Sequence, residues 1–510
     1  MPPRKPEPEQ LSGLAQDDTH HGQARSRALQ SESAAGYNDP VTMSHAACSP
    51  SDAATLTVKS PIHSLPFEVL AEIFMFTPPD WVEVHPKSSL NSEFGECESR
   101  RRMLNPFVIC AVCSSWRSIA LSIPKLWRQV FVNIPSGMSA DRAESKAADV
   151  VQRIKRSQSG PLTLYIFCDV SVPLDGTGPE TPIVSVLTDY ATRWEAVYLH
   201  RTQDDRVSAP PRRSVMFHFD GWHSLRRLCS ADRHCQLYKN NTIPWAQLTH
   251  LQIQPGLAFS DSEATILLKK CPKLVQLSIA VCSLESMTGL IVMRNLVSLS
   301  LNSSCLVDVL ILPSLRDVYI SALSYRDVTS LLNLFTRSSC SLDKLEFYTS
   351  NLKPRGLLDL LAHRSCSSLT SLKICQFSYE SPNVLVNSEV LQRFTFDQDD
   401  SFCPHLRFLT VDHPIKCVYT LLKMVESRIC SSDGQTPDKQ LQYVHFLVKR
   451  PGHKLYGLDK FGKGCGMRYE RQRLPSGRRG SPRHSVSFRR QDLSRTQLQI
   501  NHGGFCFDRD

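Results

Sequence analysis

One short phrase returns along the middle of the chain, Leu-x-x-Φ-x-Φ, in which Φ is Leu, Ile, Val, Met or Phe. Between positions 225 and 450 it occurs ten times, whereas composition alone would give about two occurrences. It begins at Leu248, Leu274, Leu296, Leu306, Leu315, Leu342, Leu369, Leu391, Leu406 and Leu441. Leu306 lies too close to Leu315 to begin a separate unit, and the other starts are 15 to 35 residues apart, most of them 19 to 27. A unit this short cannot bury an apolar face alone, so the pattern predicts repeats that stack on their neighbours.

The phrase also predicts the structure of each unit. Its first, fourth and sixth residues are apolar, as expected for a short strand that turns these side chains inward under a covering helix. Segments of helical character lie between the phrases, at 262–270, 328–335 and 356–363. We therefore predict an α/β fold with parallel strands. An ordinary α/β domain with parallel strands would give similar short apolar runs and stays open as the alternative.

The region 225–450 resembles leucine-rich repeats in an irregular form, because most of its spacings fall in or near their 20–29-residue period. That family carries an Asn or Cys after each strand. Here this residue is in register only at Cys282, whereas Cys305 and Asn351 come one residue late. The resemblance implies an irregular solenoid of parallel strands and helices.

A second apolar region, residues 60–134, has helical spacing. Pro66 suits the first turn of a helix, where its missing N–H has no partner to lose. The apolar residues after it predict a helix that Pro78 and Pro79 end. After a polar loop, the residues from Pro106 onward predict two further short helices, and Pro124 ends the second of them.

Together these segments resemble the F-box domain, in the form common among fungal F-box proteins. The shared positions are Leu65, Pro66, Val69, Leu70, Ile73, Phe74, Val112, Cys113, Trp116, Arg117, Pro124, Leu126 and Trp127. The long loop between the first and second helices departs from that pattern. The resemblance implies a three-helix domain that docks on the adaptor subunit of a cullin–RING ubiquitin ligase. It implies that the following residues contact the adaptor or support the contact: Leu65, Pro66, Val69, Leu70, Ile73, Val112 and Trp116.

Three further segments of the chain are predicted, two of them from their composition. Residues 1–59 are polar and rich in Pro and Ser, which predicts a disordered arm before the F-box region at 60–134. Residues 135–224 predict a helix–strand lead-in to the repeat region at 225–450, similar to that of fungal F-box proteins. Residues 451–510 hold 13 Lys or Arg against 5 Asp or Glu, which is +8 of the chain's net charge of +10. Their Arg, Gly and Ser content predicts a basic, disordered tail.

Signals for catalysis, cofactors and metals are weak. Many of the 18 cysteines sit within apolar runs, and the C-x-x-C of Cys110 and Cys113 has no second pair at zinc-site spacing. The glycines at 462–466 lack the preceding strand and the Lys-Ser/Thr of a phosphate-binding loop. We therefore predict no cofactor, no metal and no catalytic residue. We also predict no signal peptide and no membrane span, and hence a location in the cytoplasm, the nucleus or both.

Three functional hypotheses follow. The first is a substrate receptor, not an enzyme, that holds an unknown protein on its repeats and the ligase adaptor on its F-box. The second is an F-box scaffold without a role in ubiquitination, associated with RNA through the basic tail. The third, a hydrolase within the α/β region, has no motif in its support. Under the first hypothesis nucleic acid is not expected as a partner.

Overall fold

A computed structural model describes residues 62, 65–76, 106–135, 137–169, 181–202, 221–230, 242–253, 259–281, 289–302, 305–349, 351–376, 385–395, 402–415, 417–429, 441–449, 467–474 and 483–490. The chain divides into two units, Met1–Ser64 and Leu65–Asp510. Ile62 alone is described in the first unit, so everything below concerns the second.

The described part of the chain is a mixed α/β structure with ten α-helices. They are α1 (Phe67–Phe76), α2 (Pro106–Val112), α3 (Ser114–Ser122), α4 (Ala140–Arg156), α5 (Thr181–Asp189), α6 (Asp261–Lys270), α7 (Tyr325–Ser338), α8 (Pro354–Ala362), α9 (Ser388–Arg393) and α10 (Val418–Ile429). The helices predicted in the F-box region, in the lead-in and between the phrases are thus confirmed as helices.

Sixteen strands are described. They are β1 (Gln129–Ile134), β2 (Leu162–Asp169), β3 (Trp194–Thr202), β4 (Arg227–Ser230), β5 (His250–Ile253), β6 (Gln276–Ile279), β7 (Ile291–Val292), β8 (Ser298–Leu301), β9 (Leu310–Ile311), β10 (Asp317–Leu323), β11 (Lys344–Thr349), β12 (Ser371–Gln376), β13 (Phe408–Pro414), β14 (Tyr443–Lys449), β15 (Met467–Leu474) and β16 (Arg483–Arg490).

Fourteen of these strands form one sheet, in the order β1-β2-β3-β4-β5-β6-β8-β10-β11-β12-β13-β14-β16-β15. Every neighbouring pair from β1 to β14 is parallel. Because this order follows the chain, each unit lies beside the preceding one. The predicted parallel sheet is confirmed. β7 and β9 pair separately, in a small second sheet.

The fourth position of the phrase forms a continuous row across the parallel strands. From strand to strand, the residues in register are Val130, Leu164, Val197, Leu228, Leu251, Leu277, Leu299, Val318, Leu345, Leu372, Leu409 and Val444. All are at most 3% exposed and lie in one core cluster with residues of helices α4 to α10. The apolar phrase therefore builds a single core between the sheet and its helices.

A backbone ladder joins the units just before each strand. The N–H of Val275 donates to the carbonyl of Thr249, that of Val297 to Val275, and that of Arg316 to Val297, at 2.8 to 2.9 Å. The same bond recurs at each later unit, ending with the N–H of Gln442 on the carbonyl of Arg407 at 2.8 Å. Neighbouring units are thus held in the same register before the strand begins.

Two of the ten phrases do not begin a strand of the large sheet. Leu391 is buried within α9 and Phe394, directly after the helix, is buried too, so the prediction of a repeat strand at Leu391 is wrong. An i, i+3 apolar pair on a helix matches the first two positions of the phrase by coincidence. Leu306 lies in a 3₁₀ turn before β9, which agrees with its exclusion as a separate unit.

Both ends of the sheet differ from the segment boundaries that the sequence predicts. The sheet crosses position 224 without a break, because β1 to β4 of the lead-in pair in order with β5. At the other end, residues 467–474 and 483–490 form an antiparallel hairpin, and β16 pairs with β14. The prediction of a disordered tail is wrong for these two segments. Cys282 and the arm at 1–59 lie outside the described residues.

Candidate protein-interaction surfaces

Helix α1 is apolar on two sides. Leu70 and Phe74 are buried against the neighbouring helices, at 4% and 1% exposed. Leu65, Val69 and Ile73 follow each other at intervals of four, yet each keeps 36% to 42% of its surface exposed. Because apolar side chains also recur along this second side of α1, that side has the character of an interface.

Helix α2 repeats this arrangement. Ile109 and Cys110 are buried in the same cluster, while Val108 and Val112, one turn apart, are 49% and 56% exposed. We refer to the exposed side chains of both helices as the apolar helix surface; it consists of Leu65, Val69, Ile73, Val108 and Val112. Exposed aliphatic side chains at regular helical spacing are typical of sites of association.

Helix α3 packs against both of these helices. The Cys113 side chain caps the start of α3, because its Sγ accepts the backbone N–H of Trp116 at 3.4 Å. The Trp116 ring is half-buried and lies 4.9 Å from that of Phe74. Its indole N–H is buried and has no acceptor among the described residues. Trp127, in the same buried cluster, donates its own indole N–H to the carbonyl of Ala120 at 2.9 Å.

The seven residues predicted to bind the adaptor therefore divide into two groups. Leu65, Pro66, Val69, Ile73 and Val112 are exposed. Leu70 is core, and Trp116 is half-buried, so these two can act only as support or as partial contacts. Sequence reasoning missed Val108, although its spacing of four from Val112 was visible. Whether any of them binds an adaptor stays a prediction.

Two arginines of α4 attach the three helices to the sheet. The Arg156 guanidinium lies 4.5 Å from the Trp127 ring and 5.3 Å from the Phe107 ring, and the Arg153 guanidinium lies 4.7 Å from Phe107. Cation–π contacts of this geometry contribute about 0.5–2 kcal/mol each. These contacts cross position 134, the predicted end of the F-box region, so the segments on its two sides pack against each other.

The sheet face opposite the helices, here the second face, is formed by the alternate residues of each strand. In register, its central row is Phe131, Tyr165, Tyr198, Cys229, Gln252, Ser278, Ser300, Tyr319, Glu346, Lys373, Thr410 and His445. Its composition changes from aromatic to small polar to ionisable along the chain. Each of the twelve residues is buried or half-buried, and none is exposed.

Aromatic residues dominate the first part of the second face. The rings of Phe131, Tyr165 and Tyr198 are stacked in sequence, 4.6 Å apart in each pair and within about 11° of parallel. They form a cluster of their own with Phe167, separate from the main core. Burial raises the pKa of the Tyr198 hydroxyl to about 12, so this group stays protonated at neutral pH.

A buried ion pair marks the later part of the second face. Lys373 Nζ lies 3.0 Å from Glu346 Oε1, and the Glu346 residue is only 4% exposed. Lys373 also lies 5.8 Å from the Tyr348 ring, which stands edge-on to Tyr319 at 5.8 Å. Burial alone disfavours the charge on Lys373, but the Glu346 carboxylate outweighs it and holds the pKa of the ammonium above its usual value.

His445 continues this group on the last parallel strand. Its ring is stacked on that of Tyr443 at 6.4 Å, and its Nδ1 lies 3.0 Å from the hydroxyl of Ser487 on β16. Burial lowers the pKa of His445, although Asp412 opposes the shift. Neutral imidazole is therefore the form that the folded protein favours, and the hydrogen bond ties the hairpin to this face.

Three buried thiols are not activated for nucleophilic attack. Burial raises the pKa of the thiols of Cys229, Cys271 and Cys403 to about 12, so they stay protonated and are poor nucleophiles at neutral pH. No three His, Cys, Asp or Glu residues converge as a metal site in the described ranges. The glycines at 462–466 lie outside those ranges.

The described helices include none that combines the length and the apolar character needed to span a bilayer. Comparison of the chain with protein-family models, with curated proteins and with solved structures gave no match.

Proposed function

We propose that this chain is an F-box protein that serves as a substrate receptor of a cullin–RING ubiquitin ligase. The observation that carries the proposal is the apolar helix surface. Val69 and Val112, two of the residues that the F-box resemblance assigns to adaptor binding, keep 42% and 56% of their surface exposed, on helices that each pack one side into the core cluster. Such side chains gain free energy by being covered, at about 25 cal/mol for each Å² removed from water.

The finer fold that we propose is a three-helix F-box followed by an irregular leucine-rich-repeat solenoid. The parallel strands in chain order, the in-register apolar row and the recurring backbone ladder all support it. Asn302 adds a detail of that kind, because its Oδ1 accepts the backbone N–H of Val281 in the preceding unit at 2.8 Å. Side-chain amides that bond the backbone between units are typical of such repeats.

In this proposal the second face holds the protein target. Aromatic residues with charged neighbours, such as Tyr319, Tyr348 and Lys373, supply the kind of anchors that dominate binding energy at protein interfaces. The chain itself makes or breaks no bond. By binding adaptor and target at once, it raises the concentration of target lysines near the ligase's ubiquitin-conjugating enzyme, which is catalysis by tethering.

Capture of the adaptor by the full chain tests this function. We expect the double variant Val69→Asp, Val112→Asp to bind the adaptor more weakly by about 1–3 kcal/mol for each lost anchor, because both charges would have to be desolvated in the interface. The control is Leu290→Asp, a leucine that is 58% exposed on the repeat region.

The melting temperature of each variant separates loss of binding from loss of fold. Adaptor capture that is equal for wild type, control and double variant would contradict the assignment of this surface. Adaptor capture without any change in the abundance of bound proteins when the ligase is inactivated would instead favour a scaffold that ubiquitinates nothing.

A further inference from the structure

One arginine of the second face has no partner in the part of the chain that the structure describes. Arg227, the first residue of β4, is half-buried, and its guanidinium forms no ion pair or hydrogen bond with a described residue. Glu195, next to the register partner Ala196 on β3, is not paired with it either. Because removing a charge from water is costly unless an opposite charge or acceptors meet it, Arg227 has the character of a binding residue.

The strand register places three further polar side chains around Arg227. His250 is its partner on β5, and Cys229, two residues further along β4, pairs with Tyr198 on one side and with Gln252 on the other. Alternate residues of a strand lie on the same face, so all of these side chains belong to the second face. Burial and then the charge of Arg227 lower the pKa of His250, so its imidazole is neutral at pH 7 and lies near the guanidinium.

Two of these neighbours add hydrogen-bond donors to the guanidinium. The side-chain Nε2 of Gln252 is buried and has no acceptor among the described residues. Burial raises the pKa of Tyr198 to about 12, so its hydroxyl keeps its proton at neutral pH. The Thr249 hydroxyl donates to the carbonyl of Arg226 at 3.1 Å, so the His250 Nδ1, 2.8 Å from that hydroxyl oxygen, carries the ring proton. Donors gathered around an unpaired cation fit an anion.

Arg227 supplies a single positive charge to this part of the face. The other described second-face residues of β3 to β6 are Ala196, Tyr198, His200, Cys229, His250, Gln252, Gln276 and Ser278, and none of them is Lys, Arg, Asp or Glu. A carboxylate carries one negative charge and can accept two N–H groups of a guanidinium at once, whereas a phosphoryl group brings about 1.5–2 negative charges. One positive charge therefore favours a carboxylate.

We propose that Arg227, Gln252 and Tyr198 bind the carboxylate of an Asp or Glu side chain in the protein target. The proposal rests on the proposed receptor function and deepens it, since it names a residue type that the target presents. The second face continues on both sides of the site, towards the stacked rings of β1 and β2 on one side and the small polar residues of β6 and β8 on the other. A bound segment can therefore run through the site, so the acidic residue lies within it and not at a chain end.

Isothermal titration calorimetry with the full chain tests the proposal. The probe is the peptide Phe-Ser-Glu-Ser-Phe, acetylated and amidated so that the glutamate is its one charge, and its match has Gln in place of Glu. We expect the wild type to bind the Glu peptide about tenfold more tightly, because hydrogen bonds to a charged group are roughly twice as strong as neutral ones. Arg227→Gln should remove this preference, and Arg227→Lys, which keeps the charge but not the planar fork, should keep part of it. Arg294→Gln, at an exposed position, is the matched control.

NMR of the histidine rings locates the bound peptide. The Glu peptide should raise the pKa of His250, whose signal is assigned with His250→Gln, because a nearby negative charge favours the imidazolium. Equal affinity for the two peptides, or a Glu preference that persists in Arg227→Gln, would overturn the proposal. An unchanged His250 pKa, or tighter binding of the matching phosphoserine peptide, would overturn it as well.

Adaptor capture and melting temperature are measured on the same samples. Loss of the Glu preference in Arg227→Gln, with adaptor capture and melting temperature unchanged, supports the carboxylate site. An intact Glu preference without any adaptor capture contradicts the receptor function alone.

Discussion

Leu299 lies near the middle of the apolar row that crosses the sheet and is 1% exposed. Its neighbours in register are Leu277 and Val318. We expect Leu299→Asp to lower the free energy of unfolding by several kcal/mol, because an unpaired charge would be buried in an apolar core. Leu290→Asp, at a site 58% exposed, should change it by no more than about 0.5 kcal/mol. Thermal or urea unfolding measures the stability of both variants. Equal stability would show that the assignment of Leu299 to the inward-facing row is wrong.

Arg428 is a single buried side chain that completes the hydrogen bonding of an irregular connection. It is fully buried on α10 and donates to the carbonyls of Phe394, Phe402 and Cys403, the last at 2.9 Å. Burial lowers the pKa of its guanidinium to about 10, so it remains charged at neutral pH. Arg337 makes the same kind of bond, to the carbonyls of Val307 and Leu310, and here too an arginine substitutes for missing backbone partners in an irregular connection.

Replacing Arg428 should therefore be costly. We expect Arg428→Leu to destabilise the fold by about 3 kcal/mol or more, because three buried carbonyls lose a charged donor at once. The control is Arg355→Leu, at an exposed position of α8, which should change the free energy of unfolding very little. Urea unfolding measures both. Similar midpoints for the two variants would mean that water replaces the guanidinium without cost.

His445 predicts a dependence of stability on pH. Burial holds its pKa below the usual value, so the unfolded chain takes up a proton more readily than the folded one as pH falls through about 6.5. The free energy of unfolding should thus decrease between pH 7.5 and 5.5, by at most about 1.4 kcal/mol per pH unit for this residue. We expect His445→Gln to flatten the curve, and His405→Gln, at an exposed position, serves as the control substitution. Parallel curves for wild type and His445→Gln would exclude His445 as the cause.

Individual residues were predictable from the sequence where one apolar phrase determined burial. A search for the phrase misses β1 and β3, because other residues take its positions there. These residues are buried in the same way: Trp127, Val130 and Val132 at β1, and Trp194 and Val197 at β3. Tryptophan can fill the place of the first leucine because the site demands apolar volume and not a particular shape.

At the level of elements, the hairpin β15–β16 protects the open edge of the sheet. A free edge of β14 would expose unpaired N–H and C=O groups to other chains. We expect a chain that stops after Arg450 to melt several degrees lower than wild type and to self-associate, and a chain that stops after Gln491 to behave as wild type. A stop after Glu470 also removes β16 and should resemble the shorter chain. Size-exclusion chromatography and thermal melting provide the readout, and a monomeric, unchanged chain ending at Arg450 would show that the hairpin is dispensable.

The hairpin could not be predicted from composition. Its arginines, serines and glycine-rich surroundings are typical of disorder, and only the short alternation at Val486 and Phe488 indicates a strand. What stabilises it is pairing with β14, a contact between segments far apart in the chain. The strands with the apolar phrase needed no such distant information, because their burial is dictated by their own residues.

At the scale of the whole molecule, one fold carries two different surfaces. The apolar helix surface lies on α1 and α2, and the stacking of Arg153 and Arg156 on Phe107 and Trp127 joins these helices to the sheet. The second face, with its aromatic and ionisable parts, lies on the sheet itself. The candidate adaptor residues were found from a motif resemblance, whereas the second face could not be predicted, because its residues meet only once the strands are in register.

Calorimetric titration of the purified full chain with the purified ligase adaptor tests the central claim most directly. We predict a saturable one-to-one complex with a negative change in heat capacity, because the apolar helix surface is removed from water on binding. The change should shrink in the variant Val69→Asp, Val112→Asp and stay the same in Leu290→Asp. No measurable binding between two folded partners, or binding whose heat capacity change is unaffected by the double variant, would contradict the claim that these helices are the docking site.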